Sequence, residues 1–154
     1  MKVLFVCLGN ICRSPSAEGV FKKVLEAQGF QDRVEVDSCG IGDWHIGKAP
    51  DPRAQQAAQR RGIDISGLRA RQLSEDDFAV FDVIVAMDHD NLNAIHAMQP
   101  EGYQGMSCLF LSFAGQPDSA VPDPYYGGEQ GFENVLDMIE SASNGLVQHL
   151  RLSL

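Results

Sequence analysis

The chain reads as a single α/β domain, a four-stranded parallel sheet with helices on both faces. Three observations lead there. Short β-branched apolar runs alternate with helical stretches along the whole length. The first run is apolar without polar interruption, as in a strand buried on both faces. A length of 154 residues suits one core and not two. Sheets of this kind bind ligands at the carboxyl ends of their strands.

Val3-Leu4-Phe5-Val6 is the first strand, and it ends in a small polar loop. Ser14-Pro15 reads as the start of the first helix, Ser14 as N-cap and Pro15 at its first position. Ala17, Val20, Phe21, Val24 and Leu25 follow at helical spacing until Gly29. Val34 and Val36, alternating with Glu35 and Asp37, predict the second strand. Asp51-Pro52 opens a second helix running to Gly62. Asp82 to Met87 predicts the third strand, followed by a helix from Asp88 to Met98 that stops before Pro100. Cys108 to Leu111 predicts the fourth. Residues 114–131, rich in Gly, Pro and Asp, predict a long loop. Phe132, Val135, Leu136, Ile139, Leu146, Val147 and Leu150 then line one face of a C-terminal helix.

Composition excludes several classes. With 44% hydrophobic, 21% charged and 8% aromatic residues the chain can bury a core, which sets aside disordered and collagenous readings. No apolar run approaches the roughly 18 residues that span a bilayer, and the N-terminus does not resemble a signal peptide. Four cysteines are too few for a disulfide scaffold, and no glycosylation sequon occurs. The expectation is a cytoplasmic protein with reduced thiols, bound to no membrane. A net charge of −9 opposes nucleic-acid binding. The charge is unevenly spread: residues 1–71 hold eleven Lys/Arg against eight acids, whereas residues 72–154 hold only Arg151 against thirteen. An anionic ligand should therefore meet the N-terminal half.

Cys7-Leu8-Gly9-Asn10-Ile11-Cys12-Arg13-Ser14-Pro15 joins the first strand to the first helix. A cysteine and an arginine five residues apart, closing on a helix N-terminus, can wrap backbone N–H groups around one tetrahedral oxyanion. Gly9 and Asn10 suit the positive φ values of such a curl. The same positive field favours Cys7 as a thiolate nucleophile, and Arg13 can hold two phosphate oxygens. Leu8, Gly9, Asn10, Ile11, Cys12 and Ser14 complete the loop. Cys7 as a buried strand-end thiol is the blander reading, and the position between a buried strand and a helix start weighs against it. There is no GxxxxGK[ST], and Gly40 to Gly47 only partly imitates GxGxxG. Attack on a phosphate ester also needs a proton for the departing oxygen. Asp123, between Pro122 and Pro124 and beside Tyr125 and Tyr126, is the candidate, against the reading of an ordinary turn aspartate.

CLGNICRSP near the N-terminus, DPYYGG near residue 125 and the strand–helix order between them resemble the low-molecular-weight protein tyrosine phosphatases over essentially the whole chain. Asp43-Trp44-His45, Asp51-Pro52-Arg53-Ala54, Arg69-Ala70-Arg71-Gln72-Leu73 and Ala86-Met87-Asp88 support the likeness. The resemblance implies one flavodoxin-like three-layer sandwich over residues 1–154, acting on phosphotyrosine proteins and other aryl phosphates without cofactor or metal. It implies Cys7 as nucleophile, Arg13 as phosphate clamp and Asp123 as acid, then base. Asn10, Ser14 and Ser38 would hold the loop in shape, and Trp44, Tyr125 and Tyr126 would form an aromatic rim. Cys12, five residues from Cys7 on one curled loop, reads as a resolving cysteine, because family members with both cysteines are reversibly inactivated by oxidation; packing beneath the loop is the alternative. The chain is expected as a monomer, with weak self-association open to it. One departure is visible: family members often carry a histidine in the stretch Ser66 to Arg69, bracing the phosphate loop, and this chain has Leu68.

Two rivals share the loop. An arsenate reductase would need a further cysteine pair, and Cys39 and Cys108 stand alone. A phosphate-binding or phosphocarrier module would need neither an acid nor an aromatic rim. A zinc site is weaker still, because the cysteine spacings form no knuckle. His45, His89, His96 and His149 show no spacing to a nucleophile and read as surface or satisfied core residues.

Overall fold

The computed structural model describes residues 1–124 and 127–154. Four parallel strands, β1 (Lys2–Cys7), β2 (Glu35–Gly40), β3 (Val83–Ala86) and β4 (Met106–Leu109), lie in the order β2-β1-β3-β4. The helices are α1 (Arg13–Ala27), α2 (Pro52–Arg60), α3 (Asp77–Val80), α4 (His89–Met98) and α5 (Gly128–Leu150). The strand order turns around at β1, which has β2 on one side and β3 on the other. That reversal opens the crevice in which such sheets hold ligands.

Strand alternation sorts the core into two layers. Val3, Phe5 and Cys7 of β1 with Val83 and Val85 of β3 pack against α1, α2 and α5. Leu4, Val6, Ile84 and Ala86 pack on the other face against Phe78, Phe81 and Ile95, from α3 and α4 and their surroundings. Phe5, fully buried, meets Phe21 edge-on at 5.6 Å and Phe110 at 5.0 Å between ring centroids.

Three local expectations are corrected, and one short helix was not anticipated. Ser14 is not the N-cap of α1; Cys12 holds that position without a side-chain cap bond, because the Ser14 hydroxyl is spent on the loop described below. The fourth strand ends at Leu109, since its ladder with β3 closes at Ala86–Leu109, and Phe110 and Leu111 turn into a 3-10 helix (Phe110–Ala114) that carries Phe110 onto Phe5. α5 starts at Gly128, not after residue 131: its first turn is polar and largely exposed, so it lacks the apolar stripe that marks the rest. The single turn α3 is too short to show a helical period. Asp51 does cap α2, its carboxylate accepting the Arg53 N–H at 2.8 Å.

Candidate active site

Cys7 is the last residue of β1, and its carbonyl accepts the Ile41 N–H at 2.9 Å, so the sheet ladder fixes where the nucleophile candidate leaves the sheet. The chain then curls through residues 8–12 into α1. Asn10 is the pivot. Its φ of 57° is the one positive value among described non-glycine residues, and it is buried. Its amide nitrogen donates to Ser14 Oγ at 2.8 Å and Ser38 Oγ at 3.1 Å, and its Oδ1 accepts the Arg71 N–H at 3.1 Å. A buried asparagine in the left-handed region is thus satisfied on every side. Gly9 is needed for a different reason from the one expected. Its φ is not positive; a Cβ there would come within 2.9 Å of the His45 ring. Gly40 of β2 is equally constrained, because a Cβ would sit 3.0–3.1 Å from the loop backbone at Leu8, Gly9 and Asn10.

Two groups address the Cys7 sulfur. The Asn10 N–H donates to it at 3.2 Å, and Ser14 Oγ lies 3.0 Å away. Ser14 has one proton and a second acceptor, the Cys39 carbonyl at 3.3 Å, so that proton can serve either the sulfur or the carbonyl. Behind the loop, Ser38 Oγ donates to Glu18 Oε1 at 2.8 Å, and Glu18, a buried carboxylate, also holds Lys22 at 2.5 Å. This chain of bonds rigidifies the loop through Asn10 and Ser38. Leu68 is half-buried and packs against the core at the place where a histidine was noted as missing.

Arg13, in the first turn of α1, is buried, yet its guanidinium reaches two later segments. Nη1 donates to Asp88 Oδ2 at 2.6 Å and to the Val121 carbonyl at 3.0 Å, and Nη2 lies 3.9 Å from Asp123 Oδ2. The Val121 N–H is itself bonded to Met87 O at 2.8 Å, which pins the loop bearing Asp123 to the end of β3. The N-terminus of α1 carries no capping side-chain bond, and a helix N-terminus of this kind favours an anion.

A cavity of about 290 Å³ is lined by the loop from Cys7 to Arg13, Asn10 excepted, with Trp44, His45 and Asp123. Trp44 is 63% exposed, and its ring lies over Gly42, where any Cβ would overlap it. Cys12 lines the same cavity; burial first, then the Asp51 carboxylate, push its thiol well above the usual range. Burial opposes ionisation of Asp51 too, but hydrogen bonds from Arg53 win and hold its carboxyl below the usual value. Cys39 lies in the core and Cys108 on β4, the latter pushed up to about 11 by burial. Tyr125 and Tyr126 lie outside the described residues. The described residues contain no group of three or more His, Cys, Asp or Glu suited to a metal ion, and no helix long and apolar enough to cross a membrane.

Several participants were not singled out from sequence. His45 lines the cavity and is not mere surface; its proximity to Trp44 in the chain was the available signal. Glu18 and Gly40 carry no local mark, and Asp88 and Arg71 lie in stretches that supported the likeness but gave them no role, because the partners of all four are 20 to 75 residues away.

Comparison with known proteins follows the same geometry. Residues 2–153 match the family model described as low molecular weight phosphotyrosine protein phosphatase. A relative of that name from Schizosaccharomyces pombe is 45% identical over 149 residues, covering 95% of each chain. Among solved structures, a protein tyrosine phosphatase from Entamoeba histolytica superposes with a TM-score of 0.94 at 40% identity, covering 99% of this chain and 98% of that one. A Drosophila arginine phosphatase superposes with a TM-score of 0.91 at 35% identity, covering 98% of each. The chain belongs to the low molecular weight phosphotyrosine protein phosphatase family.

Proposed function

We propose that this enzyme hydrolyses phosphotyrosine and other aryl phosphate monoesters through a phosphocysteine, with Cys7 as nucleophile, Arg13 as clamp and Asp123 as acid and then base. The observation that carries the reading is the sharing of one cavity: a sulfur addressed by the Asn10 N–H and Ser14 Oγ, beside Arg13 and Asp123. The Cys7 thiolate attacks phosphorus and the bond to the aryl oxygen breaks, with Asp123 passing its proton to that oxygen. Water then attacks phosphorus, Asp123 takes a proton back, and Cys7 leaves as thiolate. Loop N–H groups and Arg13 stabilise the charge that grows on the phosphoryl oxygens, so the chemistry needs no metal. Leu8, Ile11 and Trp44 give the cavity apolar lining suited to an aryl ring rather than to a charged guanidinium. Leu8 to Cys12 with Ser14 form the phosphate loop, and Ser38 supports it.

Hydrolysis of para-nitrophenyl phosphate by the native protein, undiminished by a chelator and abolished in Cys7→Ser, is the expected result. Full activity in Cys7→Ser, or faster turnover of phosphoarginine than of phosphotyrosine, would overturn the assignment.

Cys12 is assigned as the resolving cysteine. Peroxide oxidises the Cys7 thiolate to a sulfenic acid, and attack by the Cys12 sulfur releases water and forms a disulfide. Cys12 lines the same cavity as Cys7, which is what supports this pairing. Peroxide should abolish activity and dithiothreitol restore it, whereas Cys12→Ser should be active but recover poorly. Equal recovery of the two proteins would leave Cys12 as packing. The reducing cytoplasm, with the enzyme acting as a monomer on phosphoprotein substrates, is the setting this reading assigns.

A further inference from the structure

We propose that the ledge built by residues 43–48 and 69–71 selects phosphotyrosyl segments carrying carboxylates on one side of the phosphotyrosine, with Lys48 and Arg69 as the recognising cations. The proposal rests on the phosphatase reading above and adds a substrate class to it. The segment leading into the ledge is tied to the phosphate loop by two bonds of 2.9 Å, Ile41 N–H to the Cys7 carbonyl and Gly42 N–H to the Leu8 carbonyl. Its far end is tied to the second segment: Gly47 N–H donates to Ala70 O at 2.8 Å, and Ala70 N–H to Lys48 O at 2.9 Å. Arg71 N–H then reaches Asn10 Oδ1 at the back of the phosphate loop. The ledge is thus held to the rim and does not trail from it.

Lys48 sits in the turn that follows His45, its N–H bonded to the His45 carbonyl at 2.9 Å, and His45 with Trp44 lines the cavity. Pairing through Ala70 brings Arg69 alongside Lys48, and both side chains are exposed. Among the described residues neither lies within ion-pair distance of a carboxylate, whereas Arg61 is taken up by Glu133, Asp137 and Glu140, and Arg71 by Asp37 and Asp77. Arg69 is also held ready: Nη1 donates to the Ser66 and Leu68 carbonyls at 2.8 and 2.7 Å, so little rotamer freedom remains to be lost on binding. Asp43 is the one acid of the ledge.

The segment that brings Asp123 to the cavity has the opposite character, with exposed Asp118 and Glu129 and no Lys or Arg between residues 72 and 150. The two ledge cations thus stand against the background of a molecule whose net charge of −9 repels acidic peptides generally. A phosphotyrosyl segment seated with its phosphate on the loop would meet the ledge cations on the flank that passes Trp44 and His45. Complementarity then selects direction as well as charge.

The test uses three phosphotyrosyl peptides, one with neutral flanks, one with an Asp-Glu pair before the phosphotyrosine and one with the pair after it, with para-nitrophenyl phosphate as a substrate without flanks. One acidic isomer should exceed the neutral peptide in kcat/KM by about tenfold at low salt, the other should not, and the gap should close at about 0.5 M salt. Lys48→Glu, a side chain with no hydrogen bond or ion pair among the described residues, should erase the preference and leave para-nitrophenyl phosphate turnover unchanged; Arg69→Lys should keep most of it. Normal turnover of para-nitrophenyl phosphate with no favoured isomer, or a preference intact in Lys48→Glu, would overturn the ledge alone. Failure of the native protein to hydrolyse para-nitrophenyl phosphate would overturn the phosphatase reading and this proposal with it.

Discussion

Asp123 is half exposed and lies 3.9 Å from the Arg13 guanidinium, close enough for both to address one phosphate ester in the proposed mechanism while Asp123 stays open to water. In the proposed mechanism its proton matters only when the leaving oxygen is a poor one. Asp123→Asn should lower kcat about a hundredfold for phenyl phosphate and much less for an activated ester, within the ~10²–10⁴ range of general acids. Equal losses on both substrates, measured in parallel, would remove Asp123 from that role. Cys7, Arg13 and Asp123 were legible because two of them lie in one nine-residue loop and the third in a proline-bounded acidic turn. The Asn10 network was legible only in part. Residue type predicted the left-handed pivot, but the Arg71 N–H that fills its last acceptor comes from 61 residues away.

At the scale of elements, the C-terminal ends of β1 and β3 are joined through a single side chain. Asp88 caps α4, accepting the Asn91 N–H on Oδ1 at 2.8 Å, and uses Oδ2 for Arg13 at 2.6 Å. One carboxylate therefore starts a helix and orients the Arg13 guanidinium. The two jobs separate by substitution. Asp88→Asn keeps a good cap and loses the charge on Arg13, so kcat/KM should fall about tenfold or more with little change in melting temperature. Asp88→Ala should lose activity to a similar degree and also about 1 kcal/mol of stability. A purely structural Asp88 would leave kcat/KM of the folded Asn variant untouched. The elements themselves followed from period and punctuation wherever they were long or buried. β4 was displaced by two residues because an apolar run continues into a 3-10 helix with no change in residue type, and α3 escaped because one turn has no period.

For the molecule as a whole, the aromatic stack of Phe21, Phe5 and Phe110 joins α1, β1 and the 3-10 helix after β4 behind the strand that delivers Cys7. Truncating its middle member leaves a void that three elements must close. Phe5→Ala should cost about 3–5 kcal/mol. Chemical denaturation should show that loss as a lower midpoint with an unchanged slope. Activity per folded molecule should fall as well, because β1 sets the position of the loop. A loss below about 1 kcal/mol would mean that the stack is not the keystone of this face.

What the amino-acid sequence determined by itself is whatever depends on neighbours in the chain. The buried strand, the Cys-to-Arg loop at a helix start, the Asp51-Pro52 helix entry and the uneven charge are all of this kind, because period, backbone preference and spacing act over a few residues. What only the tertiary structure decided is which distant groups complete the site. Asp88 and Val121 on Arg13, Glu18 behind Ser38, Gly40 beneath the loop and His45 against Gly9 meet because parallel strands bring their carboxyl ends to one edge. The Ser14 hydroxyl shows the difference most plainly. Local propensity assigns it to a helix cap, but three partners within 3.3 Å, two of them brought by the curl of the loop and by β2, offer more than one backbone N–H, and the cap goes unmade.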